Sequence, residues 1–174
     1  MSPKKISTNL VIEQIEESEE HEALSAIYGD TLGSITLPTS EHGTWNWKDD
    51  PSTLVGDVGT HTFEIIFTPT DKNYKETKTT ISVKVVQKTV EIIIDQFRFS
   101  YDESEHAIVV KVMDGETDIT SLVTVNGIVT RTIVGTTNTT ISINSKNYTA
   151  TPLSTSLVVE VGNYTPSVNP SGLT

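Results

Sequence analysis

Four histidines, a scatter of acids and two closely spaced tryptophans are the side chains of this sequence with chemistry to offer. His21, His42, His61 and His106 stand apart, with no pair at the short spacing zinc sites use, so they read as surface histidines and not as ligands. Asp114-Gly115-Glu116-Thr117-Asp118 alternates carboxylates that could offer oxygens to Ca²⁺, but it lacks the full ligand spacing of an EF-hand, and an Asp-Gly turn accounts for it. Asp49-Asp50-Pro51 carries the same choice. Trp45 and Trp47, two residues apart, point to one side of a strand. They either pack in a core or form a platform on which a sugar ring stacks, and a small module needs such large side chains inside. No G-x-S-x-G nucleophile elbow occurs. A carboxylate pair for glycoside hydrolysis is a matter of separation in space, and no deep scaffold is evident to raise one carboxyl's pKa. No catalytic residue, no cofactor and no metal is therefore expected.

Whatever holds these side chains must be built from short β-strands. The 174 residues are 35% hydrophobic and 20% charged, and the apolar ones fall in short runs of Val, Ile and Leu separated by Thr and Ser. The net charge of −11 argues against nucleic acid, whose phosphates call for a basic surface, and against anionic membranes. There is no cysteine, which removes disulfides, thiolate metal sites and cysteine nucleophiles. No apolar run approaches the ~20 residues of a membrane span, so no membrane insertion is expected, and MSPKKISTNLVIEQIEESEE lacks the apolar segment of a secretory signal.

In chain order, Asn9 to Ile15 reads as a first strand and Glu16 to Glu22 as a solvated acidic connector. Gly29-Asp30 reads as a turn before a strand through Leu32, Ile35 and Leu37 that Pro38 ends. A strand over Thr44 to Lys48 follows, then a glycine-punctuated turn at Val55 to Gly59. Phe63, Ile65 and Phe67 alternate with Thr62, Glu64 and Ile66, Thr68 to Lys75 forms a loop, and Ile81, Val83 and Val85 line the closing strand. Tyr74 is expected at the edge of the core with its hydroxyl bonded. Past a boundary at Gln87-Lys88-Thr89, Phe97, Phe99 and Tyr101 alternate again and Ala107 to Val112 reads as a strand. Asp114-Gly115 and Asn126-Gly127 read as hairpin turns. Leu157, Val159 and Val161 make the last strand, and Gly162 to Thr174 is a Pro/Ser/Asn tail.

The second half echoes the first. Gly59 and Gly135, each in a Val-Gly-Thr triplet, lie 76 residues apart; Tyr74 and Tyr148, each after Asn, lie 74 apart; Tyr28 and Tyr101 lie 73 apart. Nearly constant spacing of three landmarks in one order means an internal repeat. The expected fold is all-β, two tandem Ig-like β-sandwiches with a short linker, the first over 1–88 and the second over 89–174. Aligned on the glycine, Asp57 and His61 of the first copy become Ile133 and Thr137 in the second, so turn and core residues persist and the reactive ones do not.

At Ile27-Tyr28-Gly29-Asp30-Thr31-Leu32, Thr44-Trp45-Asn46-Trp47, Val58-Gly59-Thr60 and Asn73-Tyr74, residues 26–88 resemble the bacterial Ig-like repeat modules found in tandem in large surface proteins, especially of Gram-positive bacteria, and also on phage virions. Residues 90–161 resemble a neighbouring subtype through Phe99-Ser100-Tyr101-Asp102, His106, Asp118 to Val123, Val134-Gly135-Thr136 and Asn147-Tyr148. The resemblance implies a spacer, stalk, adhesive unit or enzyme accessory. It also raises a Lys–Asn or Lys–Asp cross-link, for which Lys84 and Lys111 are the lysines to test, although solvent-facing strand lysines are the plainer reading. In such a setting the N-x-T sequons at Asn138, Asn147 and Asn163 carry no meaning.

The expected function is non-enzymatic: display on a surface, with weak adhesive contacts. With Met1 as a natural start the setting would be a virion exterior, capsid or tail; otherwise it is a stalk cut from a bacterial cell-surface protein. A carbohydrate-binding module using Trp45 and Trp47 is the further alternative. Expected partners are structural proteins of the same assembly and surface glycans. Contacts are expected from loop tips carrying Asp71, Asn73, Asp114, Glu116 and Asp118.

Overall fold

The computed structural model describes residues 13–17, 21–127 and 129–162. The chain divides into two compact units, Met1–Val86 and Gln87–Thr174. The first holds β1 (Leu24–Ile27), β2 (Gly43–Trp47), β3 (Gly59–Pro69) and β4 (Thr77–Val86). The second holds β5 (Lys88–Thr89), β6 (Ile92–Gln96), β7 (Arg98–Ser100), β8 (His106–Ala107), β9 (Val109–Asp114), β10 (Thr117–Asp118), β11 (Val123–Gly127), β12 (Thr130–Arg131), β13 (Gly135–Ile143), β14 (Tyr148–Thr149) and β15 (Leu153–Glu160). Among the described residues the only helical pieces are two short 3-10 turns, Leu32–Ser34 and Thr120–Leu122, so the chain is all-β.

The first unit is one four-stranded sheet in the order β1-β4-β3-β2, with β1 parallel to β4 and the other pairs antiparallel. Alternation dictates its buried face: Ile65 and Phe67 of β3 and Ile81, Val83 and Val85 of β4 are buried, while Thr62, Glu64, Thr80 and Lys84 between them are exposed. Each such side chain contributes about 1.5–3 kcal/mol by leaving water. Among the described residues no second sheet covers that face. Leu32 and Val55, both essentially inaccessible, cover its Val83 and Val85 end from loops joined by the bridge Thr31↔Leu54, and Leu37 and Tyr74 pack against the cluster of Trp45, Ile65, Phe67 and Ile81.

The second unit repeats the sheet. Its order from one edge is β7-β15-β13-β11, with β7 parallel to β15 and the remaining pairs antiparallel. Here a second sheet, β10-β9-β6, lies opposite, and Ile92, Val112 and Ile119 from that side pack with Ile141 of β13. The equivalence reaches individual bonds. Gly59 pairs with Val85, and Gly135 with Val159. The Tyr28 N–H donates to the Val86 carbonyl at 2.9 Å, and the Tyr101 N–H to the Glu160 carbonyl at 2.8 Å. The Asn-Tyr loops match as well: the Ile15 N–H donates to the Asn73 carbonyl at 2.8 Å, and the Lys88 N–H to the Asn147 carbonyl at 2.9 Å.

Several expectations are corrected. The strand expected through Leu32, Ile35 and Leu37 is a 3-10 turn followed by irregular chain. The Ile35 N–H returns to the Leu32 carbonyl and the Ser34 hydroxyl to the Thr31 carbonyl, so local bonds outcompete a ladder. Asn126-Gly127 is no hairpin turn, because both residues lie in the β11–β13 ladder opposite Thr140 and Thr139. Val123 and Val125 set that register by standing opposite Ile143 and Ile141. Only Phe99 of the expected aromatic face is half-buried, stacked on His106 with ring centroids 4.5 Å apart, whereas Phe97 and Tyr101 are exposed. Val161, expected in the last strand, lies beyond β15 and is 71% exposed. The expected first strand falls largely outside the described residues, but Ile15 forms a parallel bridge to Tyr74. Within the acidic connector Glu17 is buried and accepts a 2.6 Å bond from the Ser40 hydroxyl, and Glu16 pairs with Lys75 at 2.7 Å.

The two repeat glycines sit in the left-handed region, Gly59 at φ 146° and Gly135 at φ 142°. A Cβ at Gly59 meets nothing within 4 Å, whereas one at Gly135 would fall 2.0 Å from Arg131 Nη2. Gly59→Ala is expected to cost about 1–3 kcal/mol from backbone strain alone, and Gly135→Ala more. Urea denaturation of each variant checks the order; equal costs would contradict it.

Candidate functional site

Of the two tryptophans, Trp45 lies in the core and Trp47 is half-buried beside it. β2 is paired with β3 through Trp45↔Phe67 and Trp47↔Ile65, so both indoles face the buried side. Trp45 is 4% exposed and packs between Phe67, at 5.1 Å, and His21, at 5.0 Å and nearly perpendicular. Its Nε1 and the Nε2 of His21 are buried without a hydrogen-bond partner among the described residues, and the rings meet edge to face, as N–H to π contacts do. Trp47 is half-buried against Phe63. Neither forms one continuous open platform with the other. Tyr74 stacks on His42 at 4.2 Å, which makes that histidine a packing residue.

The loop acids are mostly engaged with their own backbone. Asp71 accepts the Asn73 N–H at 2.9 Å, and the Asn73 carbonyl takes the Ile15 N–H. Asp118 accepts the Thr120 N–H at 2.8 Å, and bonds from Thr120 hold its carboxyl below the usual range. Glu116 is exposed in the turn between β9 and β10, where Gly115 has φ 59°. Asp114 differs. Its side chain is 19% exposed, forms an ion pair with Lys88, and accepts the Tyr148 hydroxyl at 2.8 Å. The Lys88 bond first, and then the Tyr148 bond, hold its pKa below the usual carboxylate range. The hydroxyl bond expected of Tyr74 is thus seen at the second copy's tyrosine.

Asp57 and His61, which attract attention in the sequence, brace a turn. The His61 Nε2–H donates to the Asp57 carbonyl at 2.6 Å. At the corresponding place in the second unit Arg131 donates to Thr137 Oγ1 at 2.7 Å and to the Val134 carbonyl at 3.0 Å. Different side chains thus hold the same turn before the same glycine. Lys84 and Lys111 are exposed on β4 and β9. Among the described residues no group of three or more His, Asp or Glu could hold a metal, and no helix is long and apolar enough to cross a membrane. Asn163 lies outside the described residues.

Two features escaped the sequence reading. One is a glutamine at the same place in both copies. Gln14 Nε2 donates to the Lys72 carbonyl at 2.9 Å, and Gln87 Nε2 to the carbonyls of Ser145 and Lys146 at 3.2 Å and of Tyr148 at 3.3 Å. Each fastens the segment leading into a unit onto its Asn-Tyr loop; the 73-residue spacing, equal to that of Tyr28 and Tyr101, was the available signal. The other is an open groove of about 440 Å³ on the outer face of β11, β13 and β15, lined by Asn126, Asn138, Thr139, Thr140, Ser154, Thr155 and Ser156. None of the seven is charged or aromatic. Single-sequence inspection had no signal for it, because its members join only through strand register.

Comparison with known proteins finds no family model that matches the chain and no curated protein that matches it in sequence.

The Asp114 contacts predict a pH dependence. A carboxyl whose folded pKa is depressed stabilises the fold above its unfolded value near ~3.9, and that stabilisation is lost as pH falls through the folded value. Asp114→Asn is expected to lower stability at pH 7 by about 1–2 kcal/mol, a difference that shrinks below about pH 4. A wild-type-to-variant gap that is the same at pH 7 and pH 3 in chemical denaturation would contradict this.

Proposed function

We propose that this chain is a non-catalytic display protein made of two Ig-like modules that makes weak adhesive contacts through its surface. The observation that carries the reading is the division of labour between the copies. The glycine, the paired long strands, the tyrosine after each first edge strand and the Asn-Tyr loop recur with the same bonds. Asp57 and His61 do not recur, and His61, Arg131 and Asp114 serve turns and an ion pair. A frame kept while its exterior varies is what a presenting module needs, because strands hold position while exposed side chains are free to differ.

The parallel edge strand, β1 beside β4 and β7 beside β15, supports the Ig-like reading, as does the second sheet facing the core in the second unit. The first unit, whose described residues place loops where the second has a sheet, reads as the shorter variant of that plan. Stacking of sugars on Trp45 is disfavoured by its burial. Modules of the kind this sequence resembles stand on phage virions and on bacterial cell surfaces, and the work is the same in both settings.

Immunogold labelling with an antibody to this chain tests the proposal. Gold on the exterior of virions or on the cell envelope is expected, and the pattern identifies the setting. Gold confined to the cell interior, or turnover of a glycan, peptide or ester substrate by the purified chain, would refute a display role.

A further inference from the structure

The groove on the second unit differs from the matching face of the first in its charge. Register makes the comparison position by position. In the first unit Glu64 stands opposite Thr80, and Lys48 on the neighbouring β2 end forms an ion pair with Glu64. In the second unit Thr140 holds the place of Glu64, opposite Ser154, and Asn126 on β11 stands beside Thr140 where Lys48 stands beside Glu64. One row along, Thr62 opposite Ser82 becomes Asn138 opposite Ser156. Lys84, opposite Thr60, becomes Val158, opposite Thr136. At these positions the charges of the first face are replaced by amides, hydroxyls and one valine, and the nearest charges on the same face, Arg98 and Glu160 beyond Val158, are paired with each other.

What remains in the lining is hydrogen-bonding capacity with no charged side chain to pair with a charged ligand. The side chains of Asn126, Thr140 and Ser154 make no hydrogen bond to other described residues, and the Ser156 hydroxyl donates to Asn138 Oδ1 at 2.8 Å, which fixes that amide with its NH₂ left to donate. Neighbouring strands lie about 4.8 Å apart and successive outward residues about 7 Å apart along a strand. The groove therefore offers a grid of donors and acceptors at intervals that suit a ligand with hydroxyls on successive carbons. A cation or anion would be desolvated there without a counter-charge, and an apolar ligand would strip water from amides and hydroxyls without replacing their bonds.

We propose that this groove, between β11, β13 and β15, binds a neutral glycan. The proposal rests on the display reading and names the class of its contact. With no aromatic ring in the lining, each contact is weak, and many copies on one surface raise the avidity without any new contact.

The test is an NMR titration of the full chain with a panel of soluble neutral oligosaccharides: glucans, mannans, galactans and xylans. At least one sugar is expected to shift amides of Asn126, Asn138, Thr140, Ser154 and Ser156 in a saturable way. The informative variant is Asn126→Lys with Thr140→Glu, which installs the first unit's own ion pair at the same register and so is tolerated by the frame. It is expected to weaken binding at least tenfold with the remaining amide shifts unchanged, and Asn138→Asp to weaken it as well. Absence of shifts with every sugar, or equal binding by the double variant, overturns the groove and leaves the display reading standing. Degradation of the sugar during the titration overturns both.

Discussion

The structure depends on one pairing, made twice: a long strand that begins at a left-handed glycine runs antiparallel to the last strand of its unit, and their inner faces supply the core. Gly59 opposite Val85 and Gly135 opposite Val159 start the two ladders at the same point. From there the period of two places Ile65, Phe67, Ile81 and Val83 inside the first unit, and Ile141, Leu157 and Val159 inside the second. Once that register is set, a slip by one residue would turn the apolar set to solvent, so the pairing also fixes what the outer face carries.

The remaining elements attach to this pair. An edge strand joins the last strand in parallel in each unit, and an antiparallel strand joins the long one on its other side. The lead segment of each unit is fastened to the Asn-Tyr loop by a glutamine amide and a backbone bond. The units part company in their second layer. Among the described residues loops around Leu32, Leu37 and Val55 pack on the first sheet, while β6, β9 and β10 form a sheet in the second, with Asp114, Lys88 and Tyr148 joined at its margin.

How much of this the sequence disclosed follows from where each feature is encoded. Alternation along one strand is local, so the inner faces of β3 and β4 could be read directly. The Val-Gly-Thr and Asn-Tyr landmarks are short strings at fixed spacing, and they marked the repeat. Leu32, Ile35 and Leu37 misled because an apolar spacing alone does not distinguish a strand from a turn whose Ser34 and Thr31 bond locally. Asn126-Gly127 misled because the strongest local turn signal was overridden by partners on β13. Glu17 looked like one more solvated acid, and only the chain fold brings Ser40 to it. The groove was illegible for the same reason: Asn126, Thr140 and Ser154 are ordinary polar strand residues until register lines them up.

The central claim is that both units hang on the same glycine-started pair of strands. Native-state hydrogen exchange on the full chain, resolved by residue, tests it most directly, because the slowest amides report the last element of each unit to open. The account predicts that the slowest amides lie in β3 and β4 and, at matching register positions, in β13 and β15. Slowest exchange in the edge strands β1, β2, β7 or β11, or at non-matching positions in the two units, would contradict it.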